Sequence, residues 1–141
     1  MVAKDSFLDL DKERAKFAFE CATNGINNED DGRYSSHVKK IPMLIKTNGL
    51  GPAFAFIFSK GKVDSNKDGD KAYNLIYVQT KEWIEKNPVI TYDKEAEDSF
   101  MEYIVSLPSD KYKNLTVEII AFLNWVRRFA DGMEDDENVK W

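Results

Sequence analysis

Apolar residues recur at spacings of three and four along most of the chain, and each series ends at an Asn-Gly, an Asn-Pro, a lone Gly or a Pro. That spacing follows the α-helical turn of about 3.6 residues, whereas the two-residue alternation of a strand never lasts long enough to build a sheet. Six helices are predicted. The first covers 5–23, with Ser6 as N-cap, Asp9 favouring the helix dipole, and Leu10, Phe17, Ala18 and Cys21 facing inward. Asn24-Gly25 is expected to stop it, leaving 26–32 as a loop. The second starts near Arg33 and carries the stripe Tyr34, Val38, Ile41 and Leu44 or Ile45, with a kink or break expected at Pro42 because proline deletes the bond to the Val38 carbonyl.

Asn48-Gly49 ends that helix, with Gly49 suited to a left-handed turn, and Pro52 opens a third over 52–59 that is apolar on nearly every side. Residues 60–69 have the composition of an exposed loop. A fourth helix runs from Asp70 to Asn87-Pro88 with Ala72, Leu75, Ile76, Gln79 and Trp83 on one face. A fifth is capped by Thr91, carries Ala96, Phe100, Tyr103, Ile104 and Leu107, and ends at Pro108. After a connector over 109–115, Thr116 caps a sixth with Ile119, Ile120, Leu123, Val126, Phe129 and Ala130 inward and Gly132 as its stop. The expected architecture is all-α, a compact single-domain bundle of about six helices over 1–133, followed by a loose acidic tail over 134–141.

Composition supports a packed core with a very polar surface, since hydrophobic residues are 43% of the chain and charged residues 32%. The opening residues lack the apolar stretch of a secretory leader, and nowhere do apolar residues run long enough to span a bilayer, so a cytoplasmic protein with no membrane partner is expected. Cys21 is the only cysteine, which rules out an internal disulfide and a cysteine-based zinc cluster and fits a reducing compartment. The Asn114-Leu115-Thr116 sequon then carries no sugar.

No catalytic constellation is legible. Asp64, Asn66, Asp68 and Gly69 match the opening positions of a calcium loop, but Leu75 stands where the bidentate Glu is needed, so the segment reads as a surface turn and no metal is expected. Gly49-Leu50-Gly51-Pro52 follows no strand and lacks a Walker lysine, which makes it a corner between helices. His37 is the sole histidine and reads as a partly exposed helix residue or an extra contact to phosphate, and no cofactor motif is present. The carboxylates at 29–31 and 134–137 are runs of like charge in predicted loops, without the burial that separates an acid from a base.

The cations are distributed far less evenly. Residues 32–62 contain no Asp or Glu, and Arg33, Lys39, Lys40, Lys46, Lys60 and Lys62 give that window +6 in a chain of net charge −5, so the remainder carries −11. Such polarity concentrates polyanions at one surface. Lys39 and Lys46 are seven apart, as are Arg33 and Lys40, so each pair returns to one face of its helix. Arg127 and Arg128 adjoin each other between Val126 and Phe129, where one is positioned to snorkel and the other to project. A nucleic-acid groove and a plain solvated face are both open readings of this pattern.

Two segments, 34–60 and 115–130, resemble the Cmr small-subunit family of type III-B CRISPR RNA-silencing complexes. The resemblance lies in the Tyr34 start, the run VKKIPMLIKTNGLGPAFAF with Ser59-Lys60 after it, Trp83 in mid-chain, and LTVEIIAFLNWVRRFA. It implies a small helical protein with no catalytic activity, several copies of which stack along a ribonucleoprotein body beside other Cmr subunits and line a basic channel for guide RNA and target RNA. Carried over by position, Lys39, Lys40, Lys46, Arg127 and Arg128 are the implied RNA contacts. Ile41, Pro42, Gly49, Leu50, Gly51, Phe54, Phe56, Leu123 and Trp125 are the implied fold determinants. The alternative is a pure scaffold whose basic face docks on acidic neighbours without touching RNA.

Overall fold

Each apolar stripe folds as a helix and turns its stripe toward one shared core. The computed structural model describes residues 3–28, 32–92 and 99–138, with side chains described within those ranges from residue 9 to residue 134. Among these residues there are six helices and no strand: α1 Ala3–Asn28, α2 Arg33–Asn48, α3 Leu50–Gly61, α4 Lys71–Lys86, α5 Phe100–Ser106 and α6 Ser109–Asn138. The long helix α6 packs chiefly against α1 and α2, while α3 lies mainly on α4.

Several helix ends differ from expectation, and each has a local cause. Helix α1 begins before Ser6 and runs through Asn24-Gly25 to Asn28. Gly25 is there for space: a Cβ at this position would fall within the ring of Tyr34, which packs directly on the α1 backbone. Residues 29–31 of the predicted loop lie outside the described residues. Helix α2 continues through Pro42, which is buried, so no break occurs there. Gly49 adopts φ 96° and ψ 159°, a region open essentially to glycine alone, so its positive φ is as expected although the conformation is not the left-handed helical one.

Helix α3 starts at Leu50, which places Pro52 in its first turn, where backbone N–H groups have no intrahelical partner to lose. It buries one face only, through Leu50, Ala53, Phe54 and Ile57, and leaves Phe56 41% exposed. Asp70 caps α4 by accepting from the Tyr73 N–H at 3.0 Å, and Asn87 ends it. Thr91 is not a cap; its carbonyl accepts from the Tyr103 hydroxyl, and α5 is capped instead by Ser99, whose hydroxyl accepts from the Glu102 N–H at 3.0 Å. Ala96 lies outside the described residues. The predicted connector 109–115 is the first two turns of α6, opened by the Pro108 carbonyl accepting from the Tyr112 N–H. The helix passes Gly132 and continues to Asn138.

Two buried polar clusters fix how the helices meet. Tyr34 of α2, wholly buried, donates its hydroxyl to Gln79 Oε1 of α4 at 2.6 Å, while Gln79 Nε2 donates to the Cys21 carbonyl of α1 at 2.9 Å. Burial pushes the Tyr34 phenol well above its usual range and the Cys21 thiol up to about 12, so both stay protonated and chemically quiet. Across the core, Glu118 of α6 is only 8% exposed and accepts from Arg14 Nε at 2.7 Å, Arg14 Nη2 at 2.8 Å and Trp83 Nε1 at 2.9 Å. Removing one partner from such a cluster strands buried polar groups, at a cost of about 3 kcal/mol or more.

The two helical glycines predict opposite outcomes. Gly25→Ala drives a methyl group into the Tyr34 ring and is expected to destabilise by about 1–3 kcal/mol. Gly132→Ala meets nothing within 4 Å and is expected to stabilise by about 0.5–1 kcal/mol. Urea unfolding of the two variants against the parent chain checks both signs.

Candidate nucleic-acid interface

Helix α2 lies antiparallel to α6, because Ser35 near its start donates to Glu134 Oε1 at 3.3 Å and Lys39, one turn on, pairs with Asp131 Oδ1 at 3.0 Å. Farther along, Gly51 at the start of α3 donates its N–H to the Tyr112 hydroxyl near the other end of α6 at 2.7 Å. The seam between α2 and α6 therefore has a defined register. Lys46, seven residues after Lys39, returns to the same side of α2. Arg127, four residues before Asp131, lies on the same side of α6 and falls between the levels of Lys39 and Lys46.

Three of the five predicted contacts, Lys39, Lys46 and Arg127, thus share one flank. Lys39 and Lys46 are exposed; Arg127 is half-buried, and its Nε is buried with no hydrogen-bond partner among the described residues. The other two are not brought to the seam. Arg128 is exposed and turned about 100° from Arg127 toward solvent, and Lys40 is rotated by the same amount from Lys39, to the side of α2 that carries His37. The seam also holds a carboxylate. Both members of the Lys39–Asp131 pair are about half exposed, and such surface pairs contribute about 1 kcal/mol at most, so a phosphate can replace Asp131 as the partner of Lys39 at little cost.

On the other side of α2 the structure assembles a cluster that the sequence reading missed. His37 stacks on Tyr73 of α4 with ring centroids 3.8 Å apart and planes 8° apart. Tyr73 and Phe56 of α3 make a T-shaped pair with centroids 5.6 Å apart, and Lys60 Nζ sits 5.7 Å from the Phe56 ring centre. The i,i+4 spacing of Phe56 and Lys60 was the available signal, hidden because an apolar helix reads as core. Asp70 anchors the arrangement. Its Oδ2 accepts from His37 Nε2 at 2.9 Å and lies 3.7 Å from Arg33 Nη1, while its Oδ1 caps α4.

Burial alone would raise the Asp70 pKa, but the hydrogen bonds from His37 and from the backbone N–H groups of Tyr73 and Ala72, together with attraction to His37, outweigh it and hold the carboxyl below its ordinary 3.8. Of the other residues singled out from sequence, Ile41, Pro42, Leu50, Gly51, Phe54 and Leu123 are buried, whereas Phe56 is exposed and Trp125 half-exposed with its Nε1 donating to Asp11 at 3.2 Å. No group of His, Cys, Asp or Glu among the described residues is arranged to hold a metal ion, and no described helix is long and apolar enough to cross a membrane.

The described residues form an all-α chain that gathers cations from two helices along one seam. Comparison with known proteins gives this chain a family. Residues 10–133 match the family model described as CRISPR-associated protein (Cas_Cmr5), and the chain belongs to that family. It is also 29% identical over 123 residues to the CRISPR system Cmr subunit Cmr5 of Thermus thermophilus, a match covering 86% of this chain and 93% of that protein.

A depressed carboxylate contributes stability that is present above its unfolded pKa and lost as pH falls through its lower folded value. Asp70 should therefore supply part of the acid limb of unfolding below about pH 4. Asp70→Asn is expected to flatten that limb relative to the parent, measured as unfolding free energy against pH.

Proposed function

We propose that this chain is a non-catalytic small subunit of a type III-B CRISPR Cmr ribonucleoprotein effector, working in the cytoplasm and stacking in several copies beside the other Cmr subunits. Its α2–α6 seam lines a basic channel and holds guide RNA and target RNA by backbone electrostatics. Membership of the Cmr5 family supports the assignment to the complex, and the relative's printed description as a Cmr subunit supports it further. The single observation carrying the RNA assignment is the shared flank of Lys39, Lys46 and Arg127, the last with a buried guanidinium nitrogen lacking a partner among the described residues. Arg128 adds an exposed charge on the outward side of α6, and Lys40 adds one farther round α2, on the side of His37.

This arrangement grips a backbone without reading bases. Arg127 is half-buried on the Asp131 side of α6, which limits its freedom, and its guanidinium suits the planar, forked recognition of phosphate. Lys39 and Lys46 offer point charges about two helical turns apart along α2. Sequence specificity then falls to pairing between guide and target, and chain cleavage to other subunits.

A scaffold reading is favoured by Met43, which is 65% exposed on the outward face of α2 among Lys39, Lys40 and Lys46. A bare methionine in a ring of lysines also fits a contact with an acidic, partly apolar neighbour. One experiment separates the two. The triple variant Lys39→Glu, Lys40→Glu, Lys46→Glu is expected to keep its helicity and enter the complex, while weakening target-RNA capture and flattening the slope of log K against log salt by about 0.7–0.9 for each lost phosphate contact. Normal RNA capture by the assembled variant complex contradicts the RNA reading, and failure to assemble favours the scaffold.

A further inference from the structure

We propose a second nucleic-acid site on the opposite side of α2, where Phe56 stacks a base of single-stranded RNA and Lys60 and Lys40 hold the flanking phosphates. It is distinct from the α2–α6 seam, although both would serve the RNA-holding role proposed above. The starting observation is a large aromatic ring, 41% exposed, on the most apolar helix of the chain. A buried position on α3 was available one residue along, at Ile57, and one turn back, at Ala53, yet Phe56 faces solvent.

The ring is held by its neighbours. Its T-shaped contact with Tyr73, the stack of Tyr73 on His37 and the bond of His37 to Asp70 form one continuous chain linking α3, α4 and α2. A ring fixed in this way loses little freedom when a base settles on it, which is what makes an aromatic side chain an efficient stacking platform. Lys60 sits near the outer limit of cation–π attraction, so its ammonium group can exchange the ring for a phosphate with little loss. Lys40, three residues after His37, is on this side of α2 rather than at the seam.

Charge points the same way. Helices α2 and α3 contain no Asp or Glu, so every titratable side chain they present here is basic. Asp70, the carboxylate at the N-cap of α4 that faces the cluster, is occupied by the Tyr73 N–H, His37 and Arg33. An acidic protein segment would satisfy the lysines but leave the ring face unused. A duplex would satisfy the lysines but keeps its bases stacked within itself. Of these three, the unpaired strand is the one that offers a phosphate and a free base together.

The test uses the full chain with two fluorescein-labelled probes, an oligoadenylate and a blunt RNA duplex of the same length, followed by anisotropy. Phe56→Leu is expected to weaken oligoadenylate binding roughly five- to hundredfold while leaving duplex binding unchanged, and Phe56→Tyr, which keeps the aromatic face, is expected to bind as the parent does. Lys60→Ala should lower the salt slope by about 0.7 on the single strand. A Lys39→Glu, Lys46→Glu variant at the seam should keep the single-strand preference, which separates failure of the seam assignment from failure of this one. Matching far-UV circular dichroism and melting curves establish that Phe56→Leu is folded. Equal losses on both probes, unchanged oligoadenylate binding by Phe56→Leu, no measurable binding by the parent chain, or loss of complex assembly in place of RNA binding would each overturn the proposal.

Discussion

The placement of Tyr34 against Gly25 is the constraint from which the functional surfaces follow. A wholly buried ring at the start of α2 rests on the backbone of α1, and its hydroxyl reaches Gln79 of α4, which in turn bonds the Cys21 carbonyl of α1. Three helices are thereby tied at one point through groups that are costly to leave unpaired. Once that point is set, the rotation of α2 about its own axis is set with it. Val38, Ile41 and Ile45 go to the core, and the basic residues between them have only two sides left. Lys39 and Lys46 turn toward α6, whereas Arg33, His37 and Lys40 turn toward α4.

This division has electrostatic consequences. The seam side mixes charge: Asp131 meets Lys39 and Glu134 meets Ser35, so the acidic end of α6 lies along the first half of α2 and leaves Lys46 and Arg127 beyond it. The α4 side is less mixed, because the carboxylate there is locked into a helix cap and a histidine bond. A chain of net charge −5 can therefore present two basic strips. If both proposals hold, these strips would meet nucleic acid along more than one edge of α2.

The existence and order of the helices were legible because stripes at three- and four-residue spacing dominate the sequence, and the CRISPR family was legible from the block beginning at Tyr34. Helix ends were less so. Gly25 and Gly132 look identical as stop signals, yet one is a glycine because an aromatic ring sits on it and the other is simply exposed; only packing distinguishes them. The segment 109–115 lacks an apolar stripe at its start and still folds as helix, since it continues α6 beyond Pro108. Among the cations, residue spacing separated the side of Lys39 and Lys46 from that of Lys40, but nothing in the sequence revealed Asp131 in the seam or the aromatic cluster under Phe56. Both arise from contacts between distant segments.

The central claim is that RNA runs along the α2–α6 seam, and the most direct measurement is ultraviolet crosslinking of the assembled complex on target RNA, with the crosslinked peptides of this chain identified by mass spectrometry. The account predicts crosslinks on peptides from α2 around Lys46 and from α6 around Arg127. Crosslinks confined to α1 and α5, or none to this chain while its neighbours crosslink efficiently, would contradict it.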